Sequence, residues 1–194
     1  MRALIETLLM LFLAAAVSAQ ETRPAPPVST ATNPLSAHNK SLYGGVKRIL
    51  LRSAEKMPEE SYGFRPASSV RSYGEIIGHI AESQYVFCSA VRGDKNPAPK
   101  IEKTKTAKAG LIAALTESFT WCDTAYGGLT DTSGAEMVKF MGGDKPKLGV
   151  LTINVVHSIE HYGNLVTYMR MKDVVPPTSD PEFMKEMARE TSGK

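Results

Sequence analysis

The stretch from Leu148 to Met171, LGVLTINVVHSIEHYGNLVTYMRM, constrains this chain more than any other. It is long enough for about six helical turns at 3.6 residues per turn. Asn154, His157, His161, Asn164 and Tyr168 follow one another at steps of three, four, three and four. On a helix, residues so spaced stack along one face. Around that line stand Leu148, Leu151, Ile153, Val155, Val156, Ile159, Leu165, Val166 and Met169, apolar on nearly every side. A helix apolar almost all round belongs in an interior. The expectation is a buried helix carrying a file of nitrogen- and oxygen-bearing side chains, which need partners because unpaired polar groups are costly to bury.

His157 and His161 stand at i and i+4, a spacing that lets two imidazoles reach one metal ion at about 2.0–2.1 Å. The same pair also describes two core histidines held by hydrogen bonds. A third ligand separates the two readings, and the rest of the chain must supply it.

The 194 residues, 42% of them hydrophobic, suit one domain with its own core. A net charge of +3 with signs interspersed leaves no basic stripe for nucleic acid. Residues 1–19 read as a secretory signal: Arg2 gives the positive start, Leu8 to Val17 the apolar run, and Val17-Ser18-Ala19 a small-residue cleavage site before Gln20. Glu6 is an intrusion near the start of that run. The run is too short for a membrane span of about 20 residues, so no stable membrane insertion is expected after cleavage. Residues 20–33, with Pro24, Pro26 and Pro27 among Ser, Thr and Ala, read as an extended linker. The expected location is outside the cytoplasm, periplasmic or secreted.

Helical spacing then recurs three times before the opening stretch. Asn33-Pro34 predicts an N-cap and a proline at the first helical position, followed by Leu35, Leu42, Val46, Ile49 and Leu50 up to about Lys56. Gly44-Gly45 inside this helix points to close packing or room for a pocket, since each costs about 1 kcal/mol against alanine. His38 is expected at the surface. The connection Met57 to Arg71 contains SYGFRP, which either lines a pocket wall or plugs the bundle end. Ser72 with Glu75 forms a capping-box pattern, and the helix it opens runs to about Val91, with His79 at the edge of its apolar face. Gly93 to Lys105 is a polar connection. A third helix spans roughly Thr106 to Tyr126, stopped by Gly127-Gly128. Leu129 to Lys145 is irregular, with a short strand or hairpin near Glu136 to Met141. Residues 34–177 thus make an all-α, four-helix bundle with a hairpin-like insertion between helices three and four. Residues 178–194 form a tail, either one short helix after Pro181 or frayed. No internal repeat, Gly-rich phosphate loop or nucleophile triad stands out.

Side chains on facing helices of a bundle can build a metal site in its core. His79 on the second helix with His157 and His161 on the fourth supplies three neutral nitrogens and leaves a position for water or substrate, the arrangement of a catalytic zinc site. Imidazole also suits nickel, iron and copper. With this histidine, this HxxxH and the phrases YGFRP, GHIAESQYVFCSAVRG and HSIEHYGNLVTYMRMKDVVPP, the chain resembles an exported bacterial branch of the DinB/YfiT-like metal-dependent superfamily, over about Leu35 to Pro177. The resemblance implies a bundle in up-down-down-up order and a divalent metal, zinc or nickel foremost, on His79, His157 and His161. It implies no single activity, since relatives include thiol-using transferases and isomerases and hydrolases. His157 to His161 also fits HxxEH, the inverted zinc-peptidase motif, but that motif needs an acidic ligand on a later helix, and only 33 residues follow His161. Glu160 is then expected to orient a ligand histidine or to face solvent.

The expected function is a metal-dependent enzyme of hydrolase or transferase type acting on a small molecule, with metal-bound water or thiolate as the reactive group. Asn154, Glu160 and Asn164 are its further polar candidates. A metal- or ligand-binding module without turnover is the other reading. A homodimer is one open arrangement. Cys88 and Cys122 are the two cysteines, and an even count in an exported chain favours a disulfide. The helix order implied by the resemblance brings their late turns to one end of the bundle. Two buried thiols, or Cys88 as a metal ligand, are the competing assignments.

Overall fold

The computed structural model describes residues 32–192. The expected signal and most of the proline-rich linker lie outside them. In chain order the elements are α1 (Pro34–Lys56), α2 (Tyr73–Arg92), the short α3 (Ile101–Thr104), α4 (Lys108–Gly127), the short α5 (Asp131–Gly134), strands β1 (Met137–Phe140) and β2 (Gly143–Pro146), α6 (Lys147–Arg170) and α7 (Pro181–Ser192).

The four long helices pack through the stripes that their spacing defines. Tyr73, Ile77 and Ile80 of α2, Leu111, Leu115 and Phe119 of α4, Leu50 of α1, and Leu151, Leu165 and Met169 of α6 are all fully buried. Side chains named across helix pairs fix the chain directions. Gly74 and Gly78 meet Leu111, and Cys88 lies against Cys122, so α2 and α4 run parallel. Gln84 bonds to Ser158 while Tyr168 donates to the Arg71 carbonyl, so α2 and α6 run antiparallel. Tyr43 reaches Phe119 and Lys108 reaches Met57, so α1 and α4 are antiparallel as well.

Helix ends follow local chemistry, with one correction. Ser72 and Glu75 form the expected capping box, Glu75 accepting from the Ser72 amide at 2.6 Å. Asn33 does not cap α1. It sits at φ 61° with its side chain turned away, and its Oδ1 accepts from the Asp131 amide at 3.0 Å. The Asp131 carboxylate caps instead, accepting from the amides of Leu35 at 3.1 Å and Ser36 at 2.7 Å. A carboxylate at a helix N-terminus satisfies orphan N–H groups and opposes the helix dipole. It also ties α1 to the distant α5.

The insertion is a two-stranded antiparallel hairpin, Met137 facing Pro146 and Phe140 facing Gly143. Met141 at φ 49° and Gly142 at φ 77° make its two-residue turn, the left-handed pair such hairpins require. Phe140 folds inward onto Phe87, ring centroids 5.1 Å apart.

One sequence expectation about burial changes, and one open alternative is resolved. The fourth helix, α6, is not buried all round: Val156 and Ile159 are exposed, because no helix among the described residues covers its outer face. Gly44 and Gly45 are not close-packing sites, since a Cβ at either would meet nothing within 4 Å; Gly44 lines a surface cleft of about 710 Å³. The SYGFRP connection serves both expected roles. Tyr62 is buried and donates to the Ala54 carbonyl, whereas Arg65 lines a cleft beside α6. The tail after Pro181 is helical, and Phe183 is buried.

The close approach that matters for the site is at Gly78. A Cβ there would stand 3.0 Å from the Glu102 Cα and 3.3 Å from a Leu111 methyl. The bare backbone lets α3 lie directly on α2, which carries the Glu102 side chain over His79. Gly78→Ala should gain up to about 1 kcal/mol of helix propensity and lose about 1–3 kcal/mol to overpacking, because the obstructing atom is backbone. The expected net result is destabilisation, read as a lower denaturant midpoint.

Candidate metal centre

His79, on the inner edge of α2, meets His157 and His161, one turn apart on α6. The Nε2 atoms of His79 and His157 are 3.2 Å apart, and those of His157 and His161 3.1 Å apart. One ligand nitrogen from each of the three lies within 4.8 Å of the others. Two nitrogens held tetrahedrally at about 2.0–2.1 Å from one ion would be about 3.3 Å apart, close to what is seen.

Protons alone serve this arrangement badly. His157 Nε2 faces two other Nε2 atoms, yet it offers either one N–H or one lone pair, so one of its two contacts stays unsatisfied in any neutral tautomer. A cation at the point of convergence would accept all three lone pairs together. The donor set therefore fits a divalent ion.

Electrostatics favour the lone-pair form. Burial pushes the His157 imidazole below its ordinary range, and the nearness of the His79 imidazole adds to the effect. Burial, then His157 and His79, pushes His161 down to about 4. A histidine that refuses a proton when folded costs stability wherever the unfolded chain accepts one. Stability is therefore full above the unfolded value near 6.5 and falls as pH drops toward about 4. His161 alone should cost the metal-free protein on the order of 2 kcal/mol between pH 7 and 5, so His161→Gln should reduce the pH dependence in denaturant titrations at both pH values, leaving the part that His157 carries.

Glu102 is the functional residue that sequence reasoning missed. Its Oε2 lies 3.0 Å from His79 Nδ1, and its Oε1 accepts from Arg71 Nε at 2.7 Å. Burial raises its carboxyl pKa, but the Arg71 hydrogen bond and charge, with His79, outweigh this and hold it below the usual range. The carboxylate thus keeps a proton on His79 Nδ1 and leaves Nε2 free as a lone pair, the role outer carboxylates play around ligand histidines. In sequence it sits within a lysine-rich connection, and only tertiary contacts bring it in: the close approach at Gly78, the burial of Ile101 and the Glu102 amide donating to Glu82 Oε2 at 3.3 Å.

The other polar candidates separate. Glu160 is exposed and hydrogen-bonded to neither histidine, so it takes the solvent-facing alternative: next to His161 in sequence, it projects about 100° away around the helix. Asn154 is buried away from the three histidines. Its amide donates to Gln84 Oε1 at 2.9 Å and to Tyr126 Oη at 3.3 Å, and it abuts both cysteine sulfurs. Asn164 is exposed and lines the cleft that reaches His161. His38 is exposed and is not part of the cluster. Cys88 and Cys122 stand at disulfide distance, Cα atoms 5.3 Å apart. On the far side of the site, Phe87 packs between Phe140 and His157, 5.5 Å from the latter ring, and closes that side with apolar surface.

A helical bundle that gathers three imidazoles from two antiparallel helices defines the class. The profile of the DinB superfamily matches residues 45–165, and the chain belongs to that superfamily. It is 27% identical to the protein YjoA of Bacillus subtilis over 122 residues, 60% of this chain and 77% of that protein. Among solved structures it is similar to a DinB-like protein of Bacillus cereus, with TM-score 0.62 and 18% identity over 68% of this chain and 89% of that one. YjoA itself superposes with TM-score 0.58 and 22% identity, over 70% and 92%. A mycothiol-dependent maleylpyruvate isomerase is similar with TM-score 0.52 and 14% identity, over 69% and 65%. At these identities the structural likenesses establish the fold.

Proposed function

We propose that the protein is a divalent-metal-dependent enzyme of hydrolase or transferase type, acting on a small molecule outside the cytoplasm. His79, His157 and His161 hold the ion, with zinc or nickel as the best match to three imidazoles. The observation that carries this reading is the convergence of three Nε2 atoms, which no set of neutral tautomers satisfies. A bound ion of this kind supplies Lewis acidity and makes a water or thiol in its open position acidic near neutral pH.

The chain's own groups do the rest. His157 and His161 stay neutral because they are desolvated. Glu102 fixes the tautomer and ring angle of His79, and Arg71 fixes Glu102. Phe87 and Phe140 exclude water from one side, so substrate enters by the cleft beside His161. The compartment is inferred from the sequence-level leader and from the paired cysteines, which persist in oxidising surroundings. No helix among the described residues is long and apolar enough to cross a membrane.

A specific observation favours the second reading, a metal-binding module without turnover. Glu102 is committed to His79 and Arg71, Glu82 accepts from the Glu102 amide, and Glu160 is off the site, so among the described residues no uncommitted carboxylate stands at the three histidines as a general base. The discriminating experiment is a panel of esters, amides and thiol-acceptor electrophiles. Turnover abolished by chelation and restored by zinc or nickel supports the enzyme. Stoichiometric metal with no turnover on any panel member favours the module.

A further inference from the structure

The cleft that reaches His161 has a volume of about 590 Å³, within the range of small-molecule sites. The loop bearing Arg65, Ser68, Ser69 and Arg71 forms one wall, and Asn164 with His161 of α6 forms the other. Its acceptors and donors are unevenly spent. Glu75 accepts from both the Arg65 guanidinium and the Ser72 amide, and Glu102 is held between Arg71 and His79. Arg71, by contrast, uses Nε alone for its side-chain hydrogen bond. Its two terminal nitrogens, the Ser68 and Ser69 hydroxyls and the Asn164 amide have no partner among the described residues. The Tyr168 hydroxyl donates to the Arg71 carbonyl at 3.0 Å, which pins this residue beside α6.

We propose that this cleft is a substrate subsite for the carboxylate of a small anionic molecule, with the free edge of the Arg71 guanidinium as its anchor. A surface with acceptors committed and donors left over selects an acceptor ligand, and the planar guanidinium edge matches a carboxylate bidentately. Ser68, Ser69 and Asn164 add neutral donors around the same space. A molecule held there presents its other end to the edge of the three-histidine cluster, since His161 lines the same cleft. As a statement about substrate the proposal rests on the metal-enzyme reading, but binding of the carboxylate itself does not need the ion.

The test is calorimetric titration of the purified protein, as isolated and after chelation, with succinate and with its neutral diamide, succinamide. Succinate should bind saturably, with succinamide about tenfold weaker or more. Arg71→Gln should reduce succinate affinity about tenfold or more. So should Asn164→Asp, which puts a like charge in the cleft without touching the Arg71 pairs. Equal binding of the two probes, no binding of either, or unchanged succinate affinity in both variants overturns the subsite. If succinate binding and its Arg71 dependence persist in a protein found to hold no metal, the metal reading fails and the subsite stands. If metal is present and the variants bind succinate like the parent, the subsite fails and the metal reading stands.

Discussion

Removing the Cys88–Cys122 cross-link should lower the unfolding free energy by about 3–4 kcal/mol in the chain-entropy description. The two residues are 34 apart in sequence and 5.3 Å apart at Cα, inside the range a bridge spans without moving the backbone. Both are fully buried, one from α2 and one from α4, where these parallel helices lie side by side. The effect acts mainly on the unfolded chain, which regains the freedom of a long loop. Replacing both by alanine adds a smaller loss of packing around Asn154, whose amide touches both sulfurs. The check compares denaturant midpoints of protein reduced under unfolding conditions with those of untreated protein. Identical midpoints, with two thiols titrating in unfolded but unreduced material, would contradict the cross-link.

The second large effect concerns His157. Its Nε2 is the shared neighbour, 3.2 Å from His79 and 3.1 Å from His161, so His157→Ala removes the central donor and leaves two nitrogens around an enlarged space. Metal affinity should fall by more than about 100-fold, past the 10- to 100-fold range typical of outer carboxylates. Glu102→Gln should fall inside that range, because the amide can still reach His79 but no longer carries the charge that stabilises it. His38→Ala, at an exposed position, should change nothing. Competition with a chromophoric chelator orders the three variants. An order in which His157→Ala matches His38→Ala would remove His157 from the ligand set.

Much of this was legible in the chain because single periodicities carry it. The stripes of α2 and α4, the Ser72–Glu75 capping box and the stop at Gly127 are local patterns with local causes, and the helices begin and end within about two residues of where those patterns place them. His157 and His161 were legible for the same reason, since i, i+4 spacing needs no tertiary knowledge, whereas His79 joined them only through the facing-helix logic of a bundle and the family resemblance. What local pattern could not say is the level at which each member of the α6 file acts. Asn154, His161 and Asn164 share a face, but seven residues separate the first two, a rise of about 10 Å. Asn154 therefore meets Gln84 and the cysteines, and Asn164 looks into the cleft. Glu102 and Asp131 were illegible because each works across the fold, Glu102 on His79 and Asp131 on the start of α1. Neither a four-residue helix nor a lone acid in a connection announces a distant partner. Exposure of Val156 and Ile159 was missed because apolar composition says which faces can be buried, not how many neighbours arrive to bury them.

The central claim is that His79, His157 and His161 together hold one divalent ion. Elemental analysis of protein purified under native metal supply, without added chelator or metal, tests it most directly. The expected result is one equivalent of zinc or nickel per chain, lost in His157→Ala and kept in His38→Ala. Less than about a tenth of an equivalent of any divalent metal in the parent protein, or equal content in the parent and His157→Ala, would contradict it.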